Sequence, residues 1–263
     1  MPKAVAKILN LLSTRIVEKY KPVIIGIFDD GDEDAASLMI KEVLEKRFDV
    51  RLSGKIFDLD TEIPLAIIGK DCESSFGNTN ALAKGIGIAF KKTSSYPNVV
   101  VLRIDARSLG DMKKALEIVR PDIVVFASGE RCSGSEAQIK KSKRRSREKA
   151  LLFRCLKKKD FAIFNADDEV LKEAADKSRC SKMTFGFGED AEARGKIFRG
   201  DEGEISTDEK KGTSFKITYK GTIVPFHFSS EAGEKQIYAA LSAAAVGLHL
   251  GANLVEISEA LRR

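Results

Sequence analysis

Tryptophan is missing from this chain of 263 residues, and histidine occurs only twice, at His227 and His249. Neither histidine sits near a cysteine or a carboxylate pattern that would form a nucleophile relay, so both are expected to be structural. The four cysteines, Cys72, Cys132, Cys155 and Cys180, form no C-x-x-C pair. With so few histidines to complete a ligand set, a zinc site is not expected, and reduced thiols in a cytoplasmic protein are. No apolar run approaches the ~18–20 residues of a membrane span. The N-terminus also lacks the ordered basic, apolar and small-residue regions of a secretory signal.

What is present reads as a folded α/β chain. Hydrophobic residues make up 43% and the net charge is +6, a composition unlike that of disordered chains. Ala4 to Lys19 is amphipathic, with Val5, Ile8, Leu9, Leu12 and Ile16 at helical spacing. It is expected to pack on the domain, with surface attachment to a membrane as the alternative. Strand-like runs at Val23–Ile27, Val50–Leu52, Val99–Ile104, Ile123–Ala127 and Ala162–Phe164 alternate with helical patterns at 35–46, 111–119, 136–158 and 169–178. That alternation predicts a mostly parallel sheet flanked by helices. The residues before proline, Ile63 and Arg120, are expected to mark element boundaries. From about residue 194 to 228, short alternating runs at 195–199, 204–207, 215–219 and 222–228 predict a small antiparallel sheet. Two helices, 235–250 and 254–261, close the chain.

The most informative stretch is GIFDDGDED, Gly26 to Asp34. Strand, tight loop and helix is the layout that cradles a phosphate, and such a loop uses small residues and a lysine. Here it carries Asp29, Asp30, Asp32, Glu33 and Asp34. Carboxylates suit a helix N-terminus without any ligand, so a solvated capping loop is expected, with a cation site as the alternative. The calcium-loop pattern fails: counted from Asp30, the glycine position holds Ala35 and the final glutamate position holds Lys41.

Five segments in order resemble the middle, ATP-binding domain of the Mur ligase family, in its D-alanyl-D-alanine-adding branch. They are KYKPVIIGI, RPDIVV (120–125), FAIFNADDE (161–169), FGFGEDAEARG (185–195) and GEKQIYAALSAAAVGLHLG (233–251). The resemblance implies a P-loop-NTPase-like central domain over residues 21–263, preceded by a helix over 1–20, with the family's flanking N- and C-terminal domains absent. It implies ATP and magnesium as cofactors of an ATP-dependent amide ligase, and other cell-wall ligase chains as partners. The departures fall on that chemistry. Against the family's G-x-x-G-K-T/S loop, Asp32 stands at the second glycine, Glu33 at the lysine and Asp34 at the hydroxyl residue. Arg103 stands at a magnesium-binding glutamate. No histidine follows the Pro-Asp strand, and FDLDTEIP (57–64) lacks the family's asparagines. Lys149, after Glu148, matches the lysine that the family carbamylates as a catalytic metal ligand. Asn165, Asp167 and Asp168 match positions on the adenine side of the nucleotide.

The expectation is therefore a non-catalytic binding or scaffolding relative, with no cofactor. The alternative is a ligase, or a subunit of one, that uses ATP and magnesium. A third reading rests on the basic segment 140–149, which holds seven cations, among them Lys143, Arg144, Arg145 and Arg147, and one acid, Glu148. It would bind an acidic partner. Nucleic acid is disfavoured, because the charges wrap the helix and no aromatic residue interleaves to stack on bases.

Overall fold

The computed structural model describes residues 3–28, 34–69, 77–90, 95–105, 109–126, 147, 150–197 and 212–262. The chain divides into two compact units, Met1–Asp30 with Phe48–Val124, and Gly31–Arg47 with Val125–Arg263.

The first unit begins with α1 (Lys3–Tyr20) and β1 (Val23–Phe28). The chain then leaves for α2 (Ala35–Glu45), which belongs to the second unit, and returns as β2 (Val50–Ile56), α3 (Leu59–Ile68), α4 (Gly77–Phe90), β3 (Val99–Ile104) and α5 (Leu109–Ile118). β3 lies between β1 and β2 and is parallel to both. Its Val99, Val100, Val101 and Leu102 are wholly buried, as central parallel strands require. β2 bulges between Leu52 and Lys55, and there the Ser53 hydroxyl accepts from the Arg103 N–H at 3.0 Å. This bulge lengthens β2 beyond the expected 50–52. Gly26 of β1 faces Pro121 so closely that a Cβ would lie 2.9 Å from the ring. Asp122 accepts from the Ile24 N–H through its carboxylate and donates its own N–H to the Ile24 carbonyl. These contacts pin the start of β4 (Ile123–Phe126) beside β1.

Two expectations fail in this unit. Ile63–Pro64 is no boundary: Pro64 lies inside α3. The helix tolerates it because Ile63, Pro64 and Leu65 are buried and packing outweighs one lost hydrogen bond. The helix ends instead at Gly69, whose φ of 82° a side chain would resist, and whose Cα faces the Arg51 guanidinium. That guanidinium donates to the Ile67 carbonyl and lies over the Tyr96 ring at 4.9 Å. Burial pushes the Tyr96 phenol up to about 12. In α1, Leu9, Leu12 and Ile16 are buried as expected, but Ile8 is 45% exposed.

The second unit holds α2, a 3-10 turn at Leu151–Arg154, β5 (Phe161–Asn165), α6 (Glu169–Asp176), β6 (Ser181–Gly186), β7 (Ala193–Ile197), β8 (Thr213–Tyr219), β9 (Thr222–Phe228), α7 (Glu234–His249) and α8 (Leu254–Ala260). β5, β6 and β7 run parallel, while β7–β8 and β8–β9 are antiparallel. The antiparallel strands are thus not a separate small sheet. β7 is parallel to β6 along one side and antiparallel to β8 along the other, so the hairpin extends the parallel sheet. Lys220 and Gly221, at φ 47° and 82°, make the tight turn of that hairpin. The expected strand at 204–207 lies outside the described residues.

The helix expected to reach Lys158 stops earlier. Leu151–Arg154 is a 3-10 turn, and Asp160 then folds back to accept from the Lys157 N–H at 2.7 Å. Phe153 of this turn stacks on Phe126 at 4.9 Å and meets Phe164 edge-on at 5.4 Å. Those aromatic contacts draw the chain inward, out of helical register.

α7 is almost wholly buried, and its alanines let α2 approach. α2 turns Met39, Ile40, Val43 and Leu44 inward. At Gly247 an added Cβ would lie 2.6 Å from Val43 Cγ1 and 3.2 Å from Ile257. Gly247→Val is expected to lower stability by about 1–3 kcal/mol through overpacking, measured by equilibrium urea unfolding. An unchanged midpoint would show that the two helices part without cost.

Candidate functional site: the turn after strand β5

The best-defined cluster of predicted site residues is the turn Asn165–Asp168. Ala162, Ile163 and Phe164 bury β5, and the chain must turn sharply at its carboxyl end to start α6. In open parallel sheets this end of the strands is where ligands bind. Asn165 is 1% exposed, and its side-chain oxygen accepts from the Asp167 N–H at 2.9 Å. That bond is the local Asx turn that asparagine favours. Asp168 caps α6, accepting from the Val170 and Leu171 N–H groups at 3.0 and 3.2 Å. Its negative charge also suits the helix N-terminus.

Asp167 reaches furthest. Its carboxylate accepts from the Phe187 N–H at 2.7 Å, the Gly188 N–H at 2.8 Å and the Tyr238 hydroxyl at 2.7 Å. A carboxylate offers about four acceptor positions, so these three donors occupy most of them. Gly186 and Gly188 make the approach possible, since a Cβ on either would stand 2.9 Å from this carboxylate. Tyr238 arrives from α7, fully buried, with its ring edge-on to Phe187 at 4.9 Å. One side chain therefore ties the end of β5, the exit of β6 and α7 together. Beside it, Lys172 and Asp190 form an ion pair on the surface, which holds the lysine pKa up and the aspartate pKa down.

Of the acidic loop, only Asp34 is described; Asp29, Asp30, Asp32 and Glu33 lie outside the described residues. Asp34 occupies the N-cap of α2, but its carboxylate does not make the expected cap bond. Its ψ of 6° departs from the extended backbone that side-chain capping requires. Its carbonyl accepts instead from the Leu38 N–H and the Ser37 hydroxyl. Arg103 is half-buried in β3. Arg147 is helical and exposed. Lys143, Arg144, Arg145, Glu148 and Lys149 lie outside the described residues.

Both histidines pack rather than converge on a site. His227 Nδ1 lies 3.0 Å from the Ser214 hydroxyl across β8 and β9. His249 stacks on Phe161 at 3.6 Å, and burial holds its pKa down. Among the described residues, no cluster of histidine, cysteine or carboxylate side chains is arranged to hold a metal. The structure thus gathers Asn165, Asp167 and Asp168 in one turn and adds Gly186, Gly188 and Tyr238, which the sequence reading did not single out. The doubled F-G of FGFG, two glycines spaced for backbone N–H groups to reach an acid, was the available signal.

No curated protein matches the chain. Residues 38–247 match the family model described as the Mur ligase middle domain. A solved MurF structure from Acinetobacter baumannii aligns over all of this chain and 50% of its own, at 16% identity and a TM-score of 0.65. The MurF ligase of Thermotoga maritima, solved in complex with ADP, aligns over 98% of this chain and 52% of its own, at 13% identity and a TM-score of 0.65. Folylpolyglutamate synthase from Thermotoga maritima aligns over 97% and 61%, at 14% identity and a TM-score of 0.56. The chain spans about half the length of the MurF chains it resembles. The α/β order, with its mostly parallel strands ending in an antiparallel hairpin, agrees with these folds, and the family match covers most of the sequence: this chain belongs to the Mur ligase middle domain family.

Proposed function

We propose that this chain is a degenerate Mur-ligase-like domain, a pseudoenzyme that serves as a binding or scaffolding protein for peptidoglycan precursor synthesis in the cytoplasm. The observation that carries the reading is Glu33 at the position of the family's phosphate-binding lysine, flanked by Asp32 and Asp34. Arg103 at the magnesium-glutamate position points the same way. The N-A-D-D turn keeps its shape through bonds within the chain, so its retention is accounted for without a nucleotide.

A second reading is an ATP- and magnesium-dependent amide ligase, or a subunit of one, that completes its site with another ligase chain. Glu148–Lys149 favours it, and Asn165, Asp167 and Asp168 would then face the adenine. The two readings part on turnover. With UDP-muramoyl-tripeptide, D-alanyl-D-alanine and MgATP, the protein is expected to release no ADP. The triple variant Asp32→Gly, Glu33→Lys, Asp34→Thr is expected to stay inactive, because the magnesium glutamate is still missing. Amide formation by the unaltered protein would overturn the scaffold reading; activity confined to the triple variant would show that the loop alone had silenced a ligase.

The basic segment supports an acidic partner for such a scaffold. Cations packed so closely repel one another by a few tenths of a kcal/mol per pair, and Arg147 is exposed. Retention on heparin is expected to fall steeply with salt and to vanish when Lys143, Arg144, Arg145 and Arg147 become glutamine. Retention unchanged in that variant would move the polyanion surface elsewhere.

A further inference from the structure

α1 and α4 together carry a surface that the packing of the first unit leaves exposed. Leu11 is 72% exposed and Ile8 45%, while Leu9, Leu12 and Ile16 on the adjoining sector of the helix are buried. Ile8, Leu11 and Arg15 recur at i, i+3 and i+7, so they form one stripe along the helix. On α4, Ile86 and Phe90 recur at i, i+4 and are 51% and 66% exposed. The two stripes adjoin. The Arg15 guanidinium lies 5.6 Å from the Phe90 ring centroid, and Lys19 donates to the Ile88 carbonyl. Farther along the same pair, Gly85 lets Leu12 approach within about van der Waals distance of α4.

The surrounding charge is predominantly positive. Over α1 and α4 there are five cations, Lys3, Lys7, Arg15, Lys19 and Lys84, and one acid, Glu18, a net charge of 5 − 1 = +4. Exposed aliphatic and phenyl groups bordered by long basic side chains match an anionic lipid surface. There the apolar face enters the acyl boundary while lysine and arginine reach the headgroups. Pairing two copies through this face would bring its cations against each other across a two-fold axis, which opposes a homodimer.

We propose that the α1–α4 face is a peripheral membrane-binding surface, specific for anionic phospholipid, with Ile8, Leu11, Ile86 and Phe90 as the inserting groups and Lys7 and Arg15 as headgroup contacts. Such a surface would hold the chain at the inner face of a membrane without crossing it; no described helix is long and apolar enough to span one.

The test is co-sedimentation of the full chain with vesicles of phosphatidylcholine alone and of phosphatidylcholine mixed with phosphatidylglycerol. Binding to the anionic vesicles is expected to exceed binding to the neutral ones by about tenfold at low salt and to weaken as salt is added. The pair Leu11→Gln and Phe90→Gln should abolish it, and Lys7→Gln with Arg15→Gln should remove the preference for anionic lipid. All four positions are exposed, so unchanged thermal melting is the expected control. No sedimentation with anionic vesicles at low salt overturns the proposal. So does binding that survives Leu11→Gln and Phe90→Gln but is lost when Lys143, Arg144, Arg145 and Arg147 become glutamine. Concentration-dependent dimerisation removed by Leu11→Gln, seen by sedimentation velocity without lipid, would also overturn it, in favour of self-association. Saturable binding of an acidic protein on the same residues, with no vesicle binding, would assign the face to a protein partner instead.

Discussion

Titration with MgATP is expected to give no heat of binding corresponding to a dissociation constant tighter than about 100 μM, roughly −5.5 kcal/mol. A carboxylate about 4 Å from a phosphate oxygen costs ~1 kcal/mol in water and ~4 kcal/mol at an effective dielectric of 20. Asp32, Glu33 and Asp34 occupy three successive positions of the loop, and the compensating lysine is gone. Backbone donors and the dipole of α2 return only ~1–2 kcal/mol. With all three near the phosphates at that effective dielectric the acids cost ~12 kcal/mol, which outweighs the ~8 kcal/mol of a micromolar ligand. A magnesium-dependent constant in the low micromolar range would show that the loop holds its carboxylates away from the nucleotide, and the scaffold reading would lose its main support.

The second large effect belongs to Asp167. Asp167→Ala is expected to lower stability by about 3 kcal/mol in equilibrium urea unfolding. The Tyr238 hydroxyl is fully buried and loses its acceptor, and two backbone N–H groups lose theirs. Each abandoned buried donor costs about 1–3 kcal/mol, less where water can replace the carboxylate. Tyr238→Phe removes one donor and leaves the carboxylate two, so about 1 kcal/mol is expected. A loss below 1 kcal/mol for Asp167→Ala would mean that the turn is held by β5 and α6 alone.

The sequence was most readable where burial is uniform. β1, β4 and β5 carry apolar runs, and β3 one interrupted only by Arg103, because parallel strands are covered on both faces. β6, SKMTFG, is not legible as an apolar run because its exposed and half-buried positions carry serine, lysine and threonine. α3 was missed because Pro64 argues locally against a helix that the burial of Ile63, Leu65 and Ile68 imposes. The site shows the same divide. The cap at Asp168 acts over two and three residues and follows from its type and place. The Asp167 bonds span 20 and 71 residues, a separation that no local pattern encodes.

The path of the chain between its two units has a consequence for synthesis and for truncation. Residues 31–47 belong to the second unit, yet residues 48–124 of the first follow before that unit resumes. On the ribosome, α2 emerges early and must wait, with Met39, Ile40, Val43 and Leu44 uncovered, until α7 is made some two hundred residues later. Such long-range closure slows folding and leaves apolar surface open to aggregation in the interval. A fragment cut at Val125 would lack the helix that covers α7, so the second unit cannot be isolated by a single cleavage. A chain that joins residues 31–47 directly to 125–263 would shorten that interval by the length of the intervening segment 48–124.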